Sequence, residues 1–129
     1  MLGLFNFFGR SEALRALDQA LREFDVHPRL VPEAVKLTTV RLMQKASDPG
    51  YVLREADYER AAELLSFAIL GPDQFVASNT LNAAKLAEQR LEEAITAGDS
   101  MDAKLILLAV HSGVIHPTLA HQLDSEVVE

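Results

Sequence analysis

The sequence predicts an all-α protein, folded as a compact bundle of about five to six helices. Apolar residues recur at three- and four-residue spacing along most of the chain, the pattern of helices with one buried face. Glycine and proline fall between these stretches, where helices end and begin. No stretch of useful length alternates apolar and polar residues, as a half-buried strand would. A chain of 129 residues can bury one hydrophobic core, so we expect a single helical domain over residues 11–129, preceded by an apolar segment at 1–10.

Two helices are predicted in the first third of the chain. Ser11 is a suitable N-cap for a helix over residues 11–25, whose apolar stripe is Leu14, Leu17, Leu21 and Phe24. His27 precedes a proline and is therefore disfavoured in a helix, so residues 25–28 are predicted to be a connector. Pro32 suits the first turn of a second helix, which should end at Ala46 before the turn-forming sequence of residues 47–50.

The middle of the chain predicts one clear helix and leaves two alternatives after it. A third helix is expected over residues 54–70, with a core face of Ala61, Leu64, Leu65 and Ala68. Gly71 and Pro72 should end it, because glycine and proline are typical of a helix stop. Residues 73–97 then form either one long helix or a broken one. In the second case Ser78 or Asn79 caps a helix whose stripe is Ala83, Ala87, Leu91 and Ala94.

Residues 100–112 are predicted to form a buried helix at the centre of the bundle. Gly98 closes the preceding helix, and residues 105–110 are all apolar, so no polar face remains. Gly113 ends this helix. Pro117 begins a last short helix that should end near Ser125.

Charge and composition limit the kinds of partner that the chain is expected to bind. Residues 1–46 hold seven Lys/Arg and five Asp/Glu, a balance of +2, whereas residues 47–129 hold five and fourteen, a balance of −9. The chain lacks the concentrated basic stripe that a nucleic acid partner needs, so none is expected. Such asymmetry can orient two protomers head against tail. Because 49% of the residues are hydrophobic, more than a small domain buries easily, we expect self-association as a homodimer.

The sequence favours a cytoplasmic protein without a metal or cofactor. Its N-terminal stretch lacks the basic region and cleavage site of a signal peptide, and no apolar run approaches the length of a membrane span. There is no cysteine to form a disulfide or a cysteine-ligated zinc site.

The most conspicuous local feature is an aromatic segment at residues 2–8. As a helix it would be apolar over more than half of its circumference, with only Arg10 and Arg15 nearby to meet lipid headgroups. Three uses are open: packing on the domain or a dimer mate, docking another protein, and, least favoured, membrane contact. The residues of this candidate interaction surface are Leu2, Leu4, Phe5, Phe7 and Phe8.

Three polar residues suggest a rival hypothesis, that the protein binds a small molecule. Asn79, Asn82 and His111 could hydrogen-bond a small molecule in a cleft, if the fourth and fifth helices pair as a hairpin. The alternative is that the asparagines cap or break a helix. The histidines at 111, 116 and 121 are five residues apart, unlike metal ligands one helical turn apart, so no metal site is predicted.

The sequence contains no nucleophile–base spacing, phosphate loop or metal motif, which favours a non-enzymatic function. The leading hypothesis is a helical protein–protein interaction or adaptor module. Its alternative is a small-molecule-binding or catalytic bundle that uses the polar cleft.

Overall fold

The computed structural model describes the backbone of residues 2–127 and the side chains of residues 12–96 and 98–123. This part of the chain forms six α-helices and no strand, and the helices pack against one another in a compact bundle, which confirms the predicted fold class. A turn of 3-10 helix lies at Pro28–Leu30. The helices are α1 (Leu2–Glu23), α2 (Glu33–Ala46), α3 (Glu55–Ser78), α4 (Leu81–Ala97), α5 (Met101–Ser112) and α6 (Pro117–Val127).

Helix α1 begins nine residues before the predicted start at Ser11, so the aromatic segment is continuous with it in backbone conformation. No proline interrupts residues 2–10, and isolated glycines lower helix stability without stopping a helix. The helix ends as a Schellman motif. Asp25 has φ 65°, its N–H bonds the Arg22 carbonyl at 3.0 Å, and the Val26 N–H bonds the Leu21 carbonyl at 3.0 Å.

Helix α3, and not α5, lies at the centre of the bundle. It packs against α1, α4, α5 and α6, and several of its side chains are completely buried. Helix α5 buries one face, formed by Ala103, Leu105, Ile106 and Ala109. On its other side Leu107 is 52% exposed and Val110 40% exposed. An apolar composition on every side therefore did not make α5 the central helix.

At the predicted stop, Gly71 is non-helical and interrupts α3, and the helix resumes after it with a kink. Pro72 has no N–H to donate to the Ala68 carbonyl, which accepts instead the His116 N–H at 2.7 Å. Gly71 has φ 82° and ψ 165°, a conformation open essentially to glycine alone. The His116 ring lies so close that a Cβ built on Gly71 would be 2.7 Å from its Cγ. The kink thus fastens the start of α6 to the middle of α3.

The kink turns the last two turns of α3 back into the core. Phe75 is fully buried, and its ring contacts Phe67 edge-on, with 5.5 Å between ring centroids. It also stacks on Phe24 at 6.4 Å, joining the end of α3 to the end of α1. Offset and edge-to-face aromatic pairs of this kind add to the free energy gained by burial alone.

The chain breaks between α3 and α4, as the second alternative predicted. The cap is Thr80 and not Ser78 or Asn79: the Thr80 hydroxyl accepts the Ala83 N–H at 3.0 Å. Ser100 caps α5 in the same way, accepting the Ala103 N–H at 3.1 Å. In α4 the buried stripe is Ala84, Ala87, Leu91 and Ala94, so Ala84 occupies the core position predicted for Ala83.

Candidate functional site

An apolar groove runs between the last turns of α4, the outer face of α5 and the first two turns of α6. Its volume is about 420 Å³, within the size range of pockets that hold ligands or anchoring side chains. None of its described lining side chains is charged or forms hydrogen bonds. We call this surface the α5 groove, and its lining residues are Ala94, Ile95, Gly98, Ala103, Ile106, Leu107, Val110 and Leu123.

The sequence of α5 explains why this groove is apolar. One side of the helix meets α2, α3 and α4, and the continuous apolar run at 105–110 leaves further aliphatic residues on the opposite side. Leu107 and Val110 are among the exposed large hydrophobic residues of the described chain. They are neighbours at three-residue spacing on one helical face, so they form a contiguous surface.

A charged cluster on the other side of the α4–α5 pair is the second notable site. Arg90 of α4 makes two hydrogen bonds to Asp102 of α5: Nε to Oδ2 at 3.0 Å and Nη2 to Oδ1 at 2.9 Å. Its Nη1 donates to Glu63 of α3 at 3.1 Å. Arg60 lies 3.8 Å from Asp102, but its side chain is 71% exposed. Three helices are therefore joined by one guanidinium.

The electrostatics of this cluster favour the paired state. Burial alone would lower the pKa of the Arg90 guanidinium, but the hydrogen bonds and charges of Asp102 and Glu63 outweigh it, so that pKa is raised. The side chains of Arg90 and Asp102 are only 12% and 14% exposed. Arg90 lines the two clefts beside the cluster, of about 140 and 650 Å³, with its guanidinium engaged by carboxylates.

Asp57 lines both clefts and caps α3. Its Oδ2 accepts the Arg54 N–H at 2.8 Å and the Tyr51 hydroxyl at 2.8 Å. The first of these bonds and then the second lower the pKa of the Asp57 carboxyl below its ordinary value of 3.8. The same hydroxyl bond raises the pKa of Tyr51. The ionised Asp57 therefore stabilises the first turn of α3.

Replacing Asp57 with asparagine is expected to make the protein less sensitive to acid. Because the pKa is lower in the folded chain than in the unfolded one, the carboxylate stabilises the fold above about pH 4, and that contribution disappears as pH falls through the lowered pKa. The Tm difference between wild type and D57N should be largest near neutral pH and shrink as pH falls below about 4, through the lowered pKa of Asp57. Thermal unfolding followed by circular dichroism measures it. The control is Asp99→Asn, because Asp99 is exposed. If the Tm difference from wild type followed the same pH trend in both variants, the stabilising role of the Asp57 carboxylate would be contradicted.

Three carboxylates converge where the end of α1 meets the start of α3. Oxygens of Glu23, Glu55 and Glu59 lie within 4.8 Å of one another. Glu23 and Glu55 are exposed, and Glu59 is half-buried. The spacing of these three residues along the chain did not predict the cluster, because Glu23 lies on a different helix from Glu55 and Glu59. Exposed acidic groups of this kind are common without an ion, and we read them as part of the solvated surface.

The structure does not gather the three predicted polar site residues into one of the clefts described above. The Asn79 amide donates to the Phe75 carbonyl at 3.3 Å and to the Phe24 carbonyl at 3.5 Å, so it closes the end of α3 against α1. Asn82 and His111 are exposed. None of the three lines the α5 groove or the clefts beside Arg90.

Two His-Pro turns of the chain, His27-Pro28 and His116-Pro117, share a local mechanism. His27 Nδ1 accepts the Arg29 N–H at 3.1 Å, and His116 Nδ1 accepts the Thr118 N–H at 3.1 Å. Each imidazole thus caps the short helix that its proline begins. His121, like His111, is exposed. These histidines are therefore structural or solvent-facing in the described part of the chain.

Five predicted interaction residues lie outside the described side chains: Leu2, Leu4, Phe5, Phe7 and Phe8. Their backbone forms the first turns of α1. Within the described residues, no single helix has the length and apolarity to cross a membrane. Only α5 and the first part of α6 taken together, bent by 116°, satisfy length and composition.

Comparison with known proteins gave no match. No family model, no curated protein and no solved structure is significantly similar to this chain.

Proposed function

We propose that this protein is a non-enzymatic helical interaction module that binds an apolar protein segment in the α5 groove. The observation that carries the proposal is the groove itself, with Leu107 and Val110 exposed at its edge. Contiguous apolar surface of this kind marks interaction sites on soluble domains.

The chemistry of the groove favours the apolar side chains of a protein segment over a small polar molecule. A small-molecule site normally contains a few placed polar groups that orient its ligand, and the described side chains of the groove include none. Binding here would come from burial, at about 25 cal/mol per Å² of apolar surface. An amphipathic helix with residues at i, i+3 and i+4 fits a groove formed between helices.

The charged cluster beside the two clefts that Arg90 lines has a structural role. Arg90, Asp102 and Glu63 hold one another and join α3, α4 and α5. The Arg90 guanidinium is therefore engaged by carboxylates and offers the clefts no free charge for a ligand. The cluster therefore serves as scaffold for the groove, since α4 and α5 are its walls.

Selection of peptides on the folded protein tests the proposal. A displayed library of helical peptides is selected on the wild type, with Leu107→Asp as the counter-selection. We expect enriched peptides with aromatic or aliphatic residues at helical spacing, whose affinity falls about 30-fold or more on L107D, because a charge then faces buried apolar surface. Leu86→Asp is the matched control, since Leu86 is 51% exposed on α4 but lies outside the groove. Peptides that bind L107D as well as the wild type, or no enriched peptides at all, would overturn the proposal.

A further inference from the structure

We propose that His116 is a pH-sensitive switch: its neutral ring holds α6 on the bundle, and its protonation releases α6 together with one wall of the α5 groove. The release depends only on the geometry around α6, whereas its consequence for binding rests on the proposed function of the groove. Two observations carry the proposal, the hydrogen bonds of His116 and the attachment of α6.

The hydrogen bonds of His116 require a neutral ring. Its Nδ1 accepts the Thr118 N–H at 3.1 Å, and because a backbone N–H can only donate, this nitrogen carries no proton. A proton taken up from solvent would set two donors against each other. It would also place a positive charge at the N-terminus of α6, where the helix dipole favours negative charge. Protonation therefore turns a stabilising cap into an unfavourable contact.

The ring is held in place on the side of α3. A Cβ built on Gly71 would be 2.7 Å from the His116 Cγ and 2.9 Å from its Nδ1, so the ring lies directly against the kink. The His116 N–H is fixed as well, because it bonds the Ala68 carbonyl at 2.7 Å. A rotation that moves Nδ1 away from the Thr118 N–H would therefore also change the packing of the ring on α3.

The cap, and not an ion pair, determines how this ring responds to pH. Among the described side chains, no carboxylate lies within 4.0 Å of a ring nitrogen of His116. The titratable residues closest to it along the neighbouring elements are Asp73 on α3, His111 on α5 and His121 on α6. All three are exposed. Each of them is tested by substitution below.

Helix α6 is attached to the bundle by a small number of groups in its described part. It packs chiefly on α3, and its buried described side chains are Leu119 and Leu123. A helix of 11 residues is marginal by itself in water, so its stability comes from these contacts and from its cap. Leu123 also lines the α5 groove. Release of α6 therefore uncovers part of the core and removes one wall of the groove.

Amide hydrogen exchange, followed by NMR at about pH 7.5 and 5.5 and corrected for intrinsic rates, gives the first arm of the test. We expect the protection factors of Gln122 and Leu123 to be about 5-fold lower at the lower pH, because cap and dipole both favour the neutral ring. At both pH values they should be lower than that of Leu65 in the middle of α3, since α6 opens without the rest of the domain. His116→Asn should abolish the pH response, because an asparagine oxygen accepts the N–H at either pH.

Three variants are the controls for this response. His27→Asn replaces the other histidine cap of the described chain, and Asp73→Asn removes a carboxyl from α3. The double variant His111→Asn/His121→Asn removes the two exposed histidines. All three should keep the wild-type pH response of α6. A response that is lost in any of them, or that persists in H116N, would overturn the proposal.

The ring itself gives an independent measurement that needs no variant. Long-range ¹H–¹⁵N correlation spectra show which ring nitrogen carries the proton. In the wild type at the higher pH we expect Nε2 of His116 to be protonated and Nδ1 to be free. The ring should then take up its second proton over the same pH range in which α6 loses protection. A proton on Nδ1 at the higher pH would overturn the cap and the switch with it.

A peptide selected on the α5 groove tests the link between α6 and binding. At about ten times its Kd, it should raise the protection factors of Gln122 and Leu123 about 10-fold at the lower pH, because the bound state needs the Leu123 wall. Unchanged protection would overturn the control of the groove by α6.

The outcomes separate the switch from the proposed function. If peptide selection fails, the proposed function fails, and the exchange measurements still decide whether His116 releases α6. Protection of α6 that is the same at both pH values, or equal to that of Leu65, overturns the switch and leaves the proposed function standing.

Discussion

Replacing Gly71 with alanine is expected to lower the free energy of unfolding by about 4 kcal/mol. Two costs combine. The backbone at φ 82° and ψ 165° is strained for any residue with a Cβ, and the added methyl would lie 2.7 Å from Cγ of the His116 ring. The ring cannot withdraw freely, because the His116 N–H bonds the Ala68 carbonyl and its Nδ1 caps α6. Urea unfolding followed by circular dichroism measures the loss.

A double-mutant cycle separates strain from the clash. Asparagine at position 116 can also accept the Thr118 N–H but is smaller than histidine, so Gly71→Ala should cost about 1–3 kcal/mol less in an H116N background. Gly113→Ala is the comparison for a left-handed glycine without a close neighbour, because Gly113 has φ 73° and ψ 15° with open space around its Cβ position. It should cost about 1 kcal/mol, the penalty of the left-handed conformation alone. Equal losses at 71 and 113 would show that the His116 contact has no energetic role.

The helices themselves could be predicted because their signals are local. Apolar periodicity, capping residues and helix breakers lie within a few residues of the structure they determine, as Gly113 shows at the end of α5. Helix α2 likewise begins and ends within a residue of its prediction. The start of α1 was missed because Ser11 resembles an N-cap although the helix needs none there.

What could not be predicted depends on residues far apart in the chain. Gly71 and Pro72 interrupt α3 where the sequence predicts a stop, but no local pattern reveals that the Ala68 carbonyl then accepts the His116 N–H. The Arg90 cluster likewise joins three helices whose pairing the sequence does not state. Periodicity shows that α5 is apolar all round, whereas packing decides which side is covered. The α5 groove was therefore not predicted, although every residue lining it was recognisably apolar.

The replacement of Arg90 by methionine is expected to lower the free energy of unfolding by about 3 kcal/mol and the Tm by about 10 °C. Methionine keeps much of the length and apolar stem of arginine but leaves the Asp102 and Glu63 carboxylates without their shared donor. Removing one partner of a largely buried ion pair is costly because the other charge stays desolvated. Differential scanning calorimetry measures the shift in Tm.

Arg60 provides the comparison that tests burial as the cause. Both arginines approach Asp102, but the Arg60 side chain is 71% exposed and that of Arg90 is 12% exposed. Arg60→Met should therefore cost less than about 1 kcal/mol, as exposed ion pairs do. Adding Asp102→Asn and Glu63→Gln to R90M should recover part of the loss, because no buried charge then remains unpaired.

Arg90 and Asp102 also bridge the two helices that wall the α5 groove, so R90M should weaken the binding of groove-selected peptides while R60M leaves it unchanged. Equal effects of R90M and R60M would mean that the cluster does not hold these walls together.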